Sequence, residues 1–172
     1  MTLWVDALKE QSIPEYAKDT KLNLDAVIKR SSLPVEEAEA IALAAAFATG
    51  NSKLWTWIEN QIANKTETQA ALTAGALMAQ NNVWYPFVEM TDDPQLEGLP
   101  AQLRMNAIST HGGTTRERFE AYSLAASIVG KCHFCVKAHY DGLKKMGYTV
   151  EQLRDIGRIA SVINSVARVV AS

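Results

Sequence analysis

Apolar residues recur along most of this chain at intervals of three and four, and no segment alternates apolar and polar for long. Leu54, Trp55, Ile58 and Ile62 follow the helical period, as do Leu72, Ala76, Ala79 and Val83. Ile156, Ile159, Ala160, Ile163, Val166 and Val170 do so near the end. Between Ile41 and Ala48 the chain is almost wholly alanine and apolar, which favours a helix slim enough for close packing. The pattern predicts an all-α protein.

Punctuation places the helices. A helix opening near Ile13-Pro14-Glu15-Tyr16 runs through Leu24 to Ile28 and breaks at Ser31-Ser32-Leu33. Pro34 suits a first helical position, and Glu36, Glu37 and Glu39 suit the opening turns that follow it. Gly50-Asn51 is a stop. Thr66 with Gln69, the pair Thr114-Thr115 ahead of Glu117, and Thr149 with Gln152 read as capping boxes. Pro86 is expected to end the helix before it. A loop then spans Thr91 to Pro100, and a short helix is expected near Leu103-Arg104-Met105-Asn106. Gly130 is expected to end one helix, a second runs from about Cys132 to Met146, and Gly147 is a left-handed stop.

The chain reads as one domain, residues 1–172, with a weak internal repeat relating about 34–85 to 115–168. Glu39-Ala40 and Leu43-Ala44-Ala45 match Glu120-Ala121 and Leu124-Ala125-Ala126, and Cys132 and Cys135 fall at the positions of Asn51 and Leu54. The 48% hydrophobic content supports a sizeable core and would suit an oligomer, while a net charge of −2 gives no basic excess for nucleic acid. No apolar run approaches the roughly 18 residues that span a bilayer. Two cysteines with no secretory signal point to the cytoplasm, where a C-x-x-C pair is more often catalytic or metal-binding than structural.

Chemistry concentrates in Lys131-Cys132-His133-Phe134-Cys135-Val136-Lys137-Ala138-His139. On a helix, Cys132, Cys135 and His139 share one face at roughly 100° per residue. A C-x-x-C pair in a first helical turn can meet the roughly 4 Å Cβ separation of a disulfide. The spacing points to a dithiol/disulfide redox site. The helix N-terminus favours a Cys132 thiolate, whereas a nearby histidine and carboxylate favour activation of Cys135. Glu120, on the preceding helix, is a candidate carboxylate whose burial would raise its pKa and suit a proton relay. Two alternatives stand beside this reading. One is a metal site of Cys132, Cys135 and His139, needing a fourth ligand such as Glu120 or His111. The other is inert packing of two small thiols. His111, beside two glycines, reads as a loop or interface residue, and Trp55, Trp57 and Trp84 as core or subunit contacts. No flavin, haem or nucleotide motif is present, and no βαβ pattern supports a thioredoxin-like fold.

With those residues in view, the chain resembles the alkylhydroperoxidase D family, within the wider group that includes carboxymuconolactone decarboxylases. The resemblance covers most of the length. It rests on Ile13 to Leu24, Asn81-Asn82-Val83-Trp84-Tyr85, Leu103-Arg104-Met105-Asn106, and Glu120, Cys132, Cys135 and His139 at the family's spacing. It implies a compact helical subunit, usually a homotrimer, acting as a thiol-dependent peroxidase or disulfide reductase in antioxidant defence. No cofactor would be bound. A lipoyl group (dihydrolipoamide) would be the reductant, carried by a lipoylated protein, with a peroxiredoxin as a further partner. Carried over residue by residue, Cys135 would attack an organic hydroperoxide, Cys132 would resolve the sulfenic acid, and Glu120 and His139 would relay the proton. Two positions depart from the family: Phe134 stands where a histidine precedes the second cysteine, and Lys131 where glycine often precedes the first. A non-redox acid/base enzyme of the decarboxylase type, using Glu120 and His139, is the remaining alternative; it would not need the cysteine pair.

Overall fold

Alanine at successive positions of one helix lets three neighbours approach it closely, and this sets the centre of the protein. In the computed structural model, which describes residues 3–11, 13–110 and 113–170, that helix is α3 (Val35–Ala48). Its run from Ala40 to Ala46 is wholly excluded from solvent. Around it pack α5 (Lys65–Thr91), α8 (Arg116–Gly130) and α10 (Val150–Val169). The remaining helices are α1 (Leu3–Gln11), α2 (Lys18–Lys29), α4 (Ser52–Gln61), α6 (Pro94–Glu97), α7 (Ala107–Thr110) and α9 (His133–Lys145). A 3₁₀ turn, Glu15–Ala17, precedes α2, and there is no strand among the described residues. The all-α expectation holds. No helix among the described residues is long and apolar enough to cross a membrane.

Several boundaries differ from expectation, each for a local reason. Pro86 lies inside α5 rather than ending it. The helix loses one hydrogen bond there but is held in the turn just before the proline. Asn82 Nδ2 donates to Ala126 O at 3.1 Å, and Tyr85 stacks on Phe134 of α9 with ring centroids 4.4 Å apart. The buried face of α5 is Ala70, Ala71, Ala74, Leu77, Met78 and Asn81; Ala76, Ala79 and Val83 face outward. Asn64, not Thr66, caps this helix, its side chain accepting from the amides of Thr66 and Glu67. The start of α8 is capped by Thr115 accepting from Arg118 N, without the reciprocal half of a box. The Thr149–Gln152 box is complete. The short helix expected at 103–106 forms at Ala107–Thr110, and the expected loop contains α6. Helix α1 carried no sequence expectation; Trp4, Val5 and Leu8 bury its inner face.

Gly130 is the last residue of α8, and the left-handed turn falls on Lys131, at φ 57°. What demands glycine at 130 is proximity. A Cβ there would stand 2.0 Å from Asn82 Nδ2. The C-terminus of α8 therefore presses on α5 before the chain turns into α9.

A buried polar cluster ties the same helices together at their other end. Glu67 of α5 accepts from Tyr122, Thr114 and Arg118, and Arg118 also pairs with Glu36. Burial pushes the Glu67 carboxyl up, but these donors outweigh it and hold it below its ordinary value. Glu37, which accepts from Tyr148 at 2.5 Å, goes the other way: burial raises it. Removing one partner of such a buried charged pair typically costs about 3–5 kcal/mol.

Candidate active site

The left-handed Lys131 ends α8 and delivers Cys132 as the N-cap of α9, at φ −82° and ψ 104°. Its sulfur accepts the amide N–H of Cys135 at 3.2 Å, the bond that serine or asparagine makes at an ordinary cap. Cys135 lies in the first turn. The two residues form a disulfide, with Cα atoms 5.3 Å apart. Both are buried, at 0% and 3% exposure. The sequence reading placed both cysteines in a first helical turn; the first of them is the cap instead, and the second lies in the turn.

His139, one turn beyond Cys135, points its Nδ1 at Glu120 Oε2, 2.6 Å away on α8. Its Nε2 lies 3.2 Å from Met78 Sδ on α5. Both side chains are about five-sixths buried. The hydrogen bond from His139 is the larger influence on Glu120 and outweighs burial, so the carboxyl lies below its ordinary range rather than above it. The sequence expectation of a raised pKa is thus corrected: a protonatable ring at 2.6 Å stabilises the carboxylate more than the partial loss of water penalises it. The pair is anchored on two helices and meets the dithiol through α9 itself. Residues four apart on a helix have Cβ atoms about 6 Å apart, so Cys135 and His139 are neighbours on one face of α9.

The sulfurs also face α5. Asn81 O lies 3.7 Å from Cys135 Sγ and 3.9 Å from Cys132 Sγ. The side-chain oxygens of Asn81, Asn82 and Ser127 are buried with no hydrogen-bond partner among the described residues. Outside, Phe134 is 56% exposed and closes with Tyr85 over one wall of a groove of about 910 Å³. Trp84, Val88, Leu99 and Pro100 line the rest of it. His133 Nδ1 lies 3.2 Å from Glu89 on the solvent side, away from the sulfurs.

Cys132, Cys135, His139 and Glu120 are thus brought together. His111 lies outside the described residues. Among the described residues no group of three or more His, Cys, Asp or Glu side chains is placed to hold a metal ion, and the two sulfurs of the metal alternative are bonded to each other. Sequence reasoning did not single out Met78, or Asn81 as a neighbour of the sulfurs. Asn81 lies in the stretch that carries the family resemblance, but its contact with the sulfurs is made by the main chain, which the residue type does not signal.

A family signature described as the carboxymuconolactone decarboxylase family matches residues 94–172. Over nearly the whole chain the sequence is similar to proteins described as alkyl hydroperoxide reductase AhpD. One from Coxiella burnetii is 37% identical over 166 residues, covering 93% of each chain. One from Rhodospirillum centenum is 39% identical over 168 residues, covering 96% of this chain and 89% of the relative. One from Maricaulis maris is 36% identical over 171 residues, covering 98% of each.

Proposed function

The chain belongs to the alkyl hydroperoxide reductase AhpD family, and from that premise we propose that it reduces organic hydroperoxides with the Cys132–Cys135 couple. The observation that carries this reading is the disulfide at the N-terminus of α9, one turn from a buried His139–Glu120 pair. Cys135 attacks the terminal oxygen of the hydroperoxide. The O–O bond breaks, the alcohol leaves with a proton relayed through His139, and Cys135 becomes a sulfenic acid. Cys132 attacks that sulfur, releases water and closes the disulfide. Glu120, held ionised by His139, orients the ring for the relay.

The disulfide is returned to the dithiol by a lipoyl group in its dihydro form, borne by a lipoylated protein, and a peroxiredoxin acts in the same cytoplasmic antioxidant system. These belong to the family resemblance. A homotrimer is supported by the apolar stripe on the outer side of α5, where Val83 and Met90 are 70% and 78% exposed.

The test is intact mass after redox titration. The reduced protein is given one equivalent of an organic hydroperoxide, alkylated and weighed. Loss of both alkylation sites, restored by dihydrolipoamide, is expected. Two thiols still open to alkylation would overturn the reading.

A further inference from the structure

The surroundings of the two sulfurs are unequal, and the inequality assigns them different states. Cys132 Sγ accepts an amide N–H from Cys135 at 3.2 Å and stands at the positive end of a 13-residue helix. A donor and a helix N-terminus both favour an anion there. Among the described residues Cys135 Sγ has no such donor. The main-chain oxygen of Asn81, a hydrogen-bond acceptor that repels a thiolate and welcomes an S–H, lies 3.7 Å from Cys135 Sγ and 3.9 Å from Cys132 Sγ, so with the amide already serving Cys132 the S–H it can accept is that of Cys135. The carbonyl has two lone pairs, so it can serve a thiol as well as its own helix. It is fixed in place: Asn82, the next residue, bonds Ala126 O and fills the space that Gly130 leaves open.

We infer that Asn81 is a third member of the redox site: in the reduced protein its main-chain oxygen takes the Cys135 S–H, leaving the negative charge on Cys132. This rests on the dithiol/disulfide reading above. The charged groups around the pair are Lys131, His133 with Glu89, Lys137 with Asp141, and Glu120 with His139. None of them is placed to hydrogen-bond a sulfur among the described residues, so the amide N–H, which serves Cys132 alone, decides which sulfur is charged, and the carbonyl takes the proton of the other. A resting Cys135 thiol also gives His139 its task, because the proton must leave as Cys135 attacks peroxide.

The reductive half follows from the same inequality. In thiol–disulfide exchange the better-stabilised thiolate is the better leaving group. A thiolate of the dithiol reductant bonds to Cys135 Sγ. The Cys132–Cys135 bond breaks, and Cys132 departs with its electron pair as the thiolate its cap already accommodates. The second thiol of the reductant then attacks the reductant's own bonded sulfur and releases the oxidised reductant. Cys135 leaves and takes the proton, which it turns toward Asn81 O.

Two measurements test this. In the first, reduced protein labelled with ¹³Cβ-cysteine is titrated by NMR, with signals assigned from Cys132→Ser and Cys135→Ser. Cys132 is expected to ionise at least one pH unit below Cys135, and Asn82→Ala, which frees the carbonyl, to narrow that gap. Cys135 ionising first, or a gap unmoved by Asn82→Ala, would overturn the assignment. In the second, the oxidised protein is mixed briefly with a monothiol, 2-mercaptoethanol, quenched in acid and treated with maleimide. Fragment ions between the cysteines are expected to place the mercaptoethanol on Cys135 and the maleimide on Cys132; the reverse would overturn the inference. Neither readout uses peroxide, so failure here is distinct from failure of the peroxidase reading, which hydroperoxide titration reports.

Discussion

At the scale of single residues, the chemistry lies in one carboxylate and one ring as much as in the sulfurs. The Glu120 carboxyl is held below its ordinary value by His139. The carboxylate therefore persists through the usual carboxylate range and is lost only as pH falls through the lowered value. Glu120→Gln removes the charge that orients the ring and is expected to slow oxidation of the dithiol by hydroperoxide roughly 10²-fold, by the usual weight of a positioned acid/base group. The disulfide still forms at long times. Because protonating Glu120 mimics the substitution, wild-type and variant rates should converge as pH falls and separate as it rises. Stopped-flow tryptophan fluorescence across that range checks this; a ratio independent of pH would assign Glu120 a purely structural part. Cys132, Cys135 and His139 were legible because they lie on one helical face within eight residues. The Glu120–His139 contact joins residues 19 apart on two helices, and came only from the family's spacing. Asn81 was illegible in principle, since a main-chain oxygen has no sequence signature.

At the scale of helices, local rules located the bodies well and the ends less well, and two ends can be tested. The sequence pattern placed a cap at Thr66, but Asn64 makes the bonds to the Thr66 and Glu67 amides. Asparagine two residues earlier is the stronger cap, and the Glu67 that would complete a helix opening is drawn instead into the Tyr122–Arg118 cluster. Asn64→Ala is expected to cost about 1 kcal/mol, and Thr66→Ala a few tenths, in urea unfolding. Equal costs would restore the sequence reading. Gly130 ends α8 as the sequence suggested, but glycine is needed there as a recess for Asn82, since the left-handed residue is Lys131. Gly130→Ala drives a methyl group into Asn82 and is expected to cost about 1–3 kcal/mol. In the double variant with Asn82→Ala, part of that cost should return, since the two residues share one volume. Strict additivity would show that the contact is not what makes glycine necessary. Pro86 teaches the same point in reverse: a residue that breaks isolated helices is tolerated where Asn82 and Tyr85 pin the turn before it.

At the scale of the whole molecule, the order of helices around the buried α3 had to await the structure, because apolar spacing tells which face is buried and not against what. One residue shows how the distant parts are joined. Asp155 of α10 accepts from the backbone and the hydroxyl of Ser32, in the link between α2 and α3, each at 2.8 Å, and pairs with Arg158 and Arg154. Burial pushes its carboxyl up, but these donors outweigh it and hold it down at about 2, from an ordinary 3.8. A lowered pKa stabilises the fold above the unfolded value and loses that contribution as pH falls toward the folded one. Asp155 thus contributes about 2 kcal/mol at neutral pH, withdrawn between roughly pH 4 and 2. Glu67 adds in the same sense, while Glu37, raised by burial, opposes it, so the wild-type acid transition mixes signs. The variant isolates one contribution. Asp155→Asn keeps the shape and an acceptor oxygen but removes the charge, so it should be less stable than wild type by about 2 kcal/mol at pH 7. The difference should shrink steadily below pH 4, with the denaturant slope unchanged. Urea unfolding followed by circular dichroism at pH 7, 5, 4 and 3 measures it. A difference constant over that range would mean that the packing of Ser32 against α10, not the charge of Asp155, holds the first and last parts of the chain together.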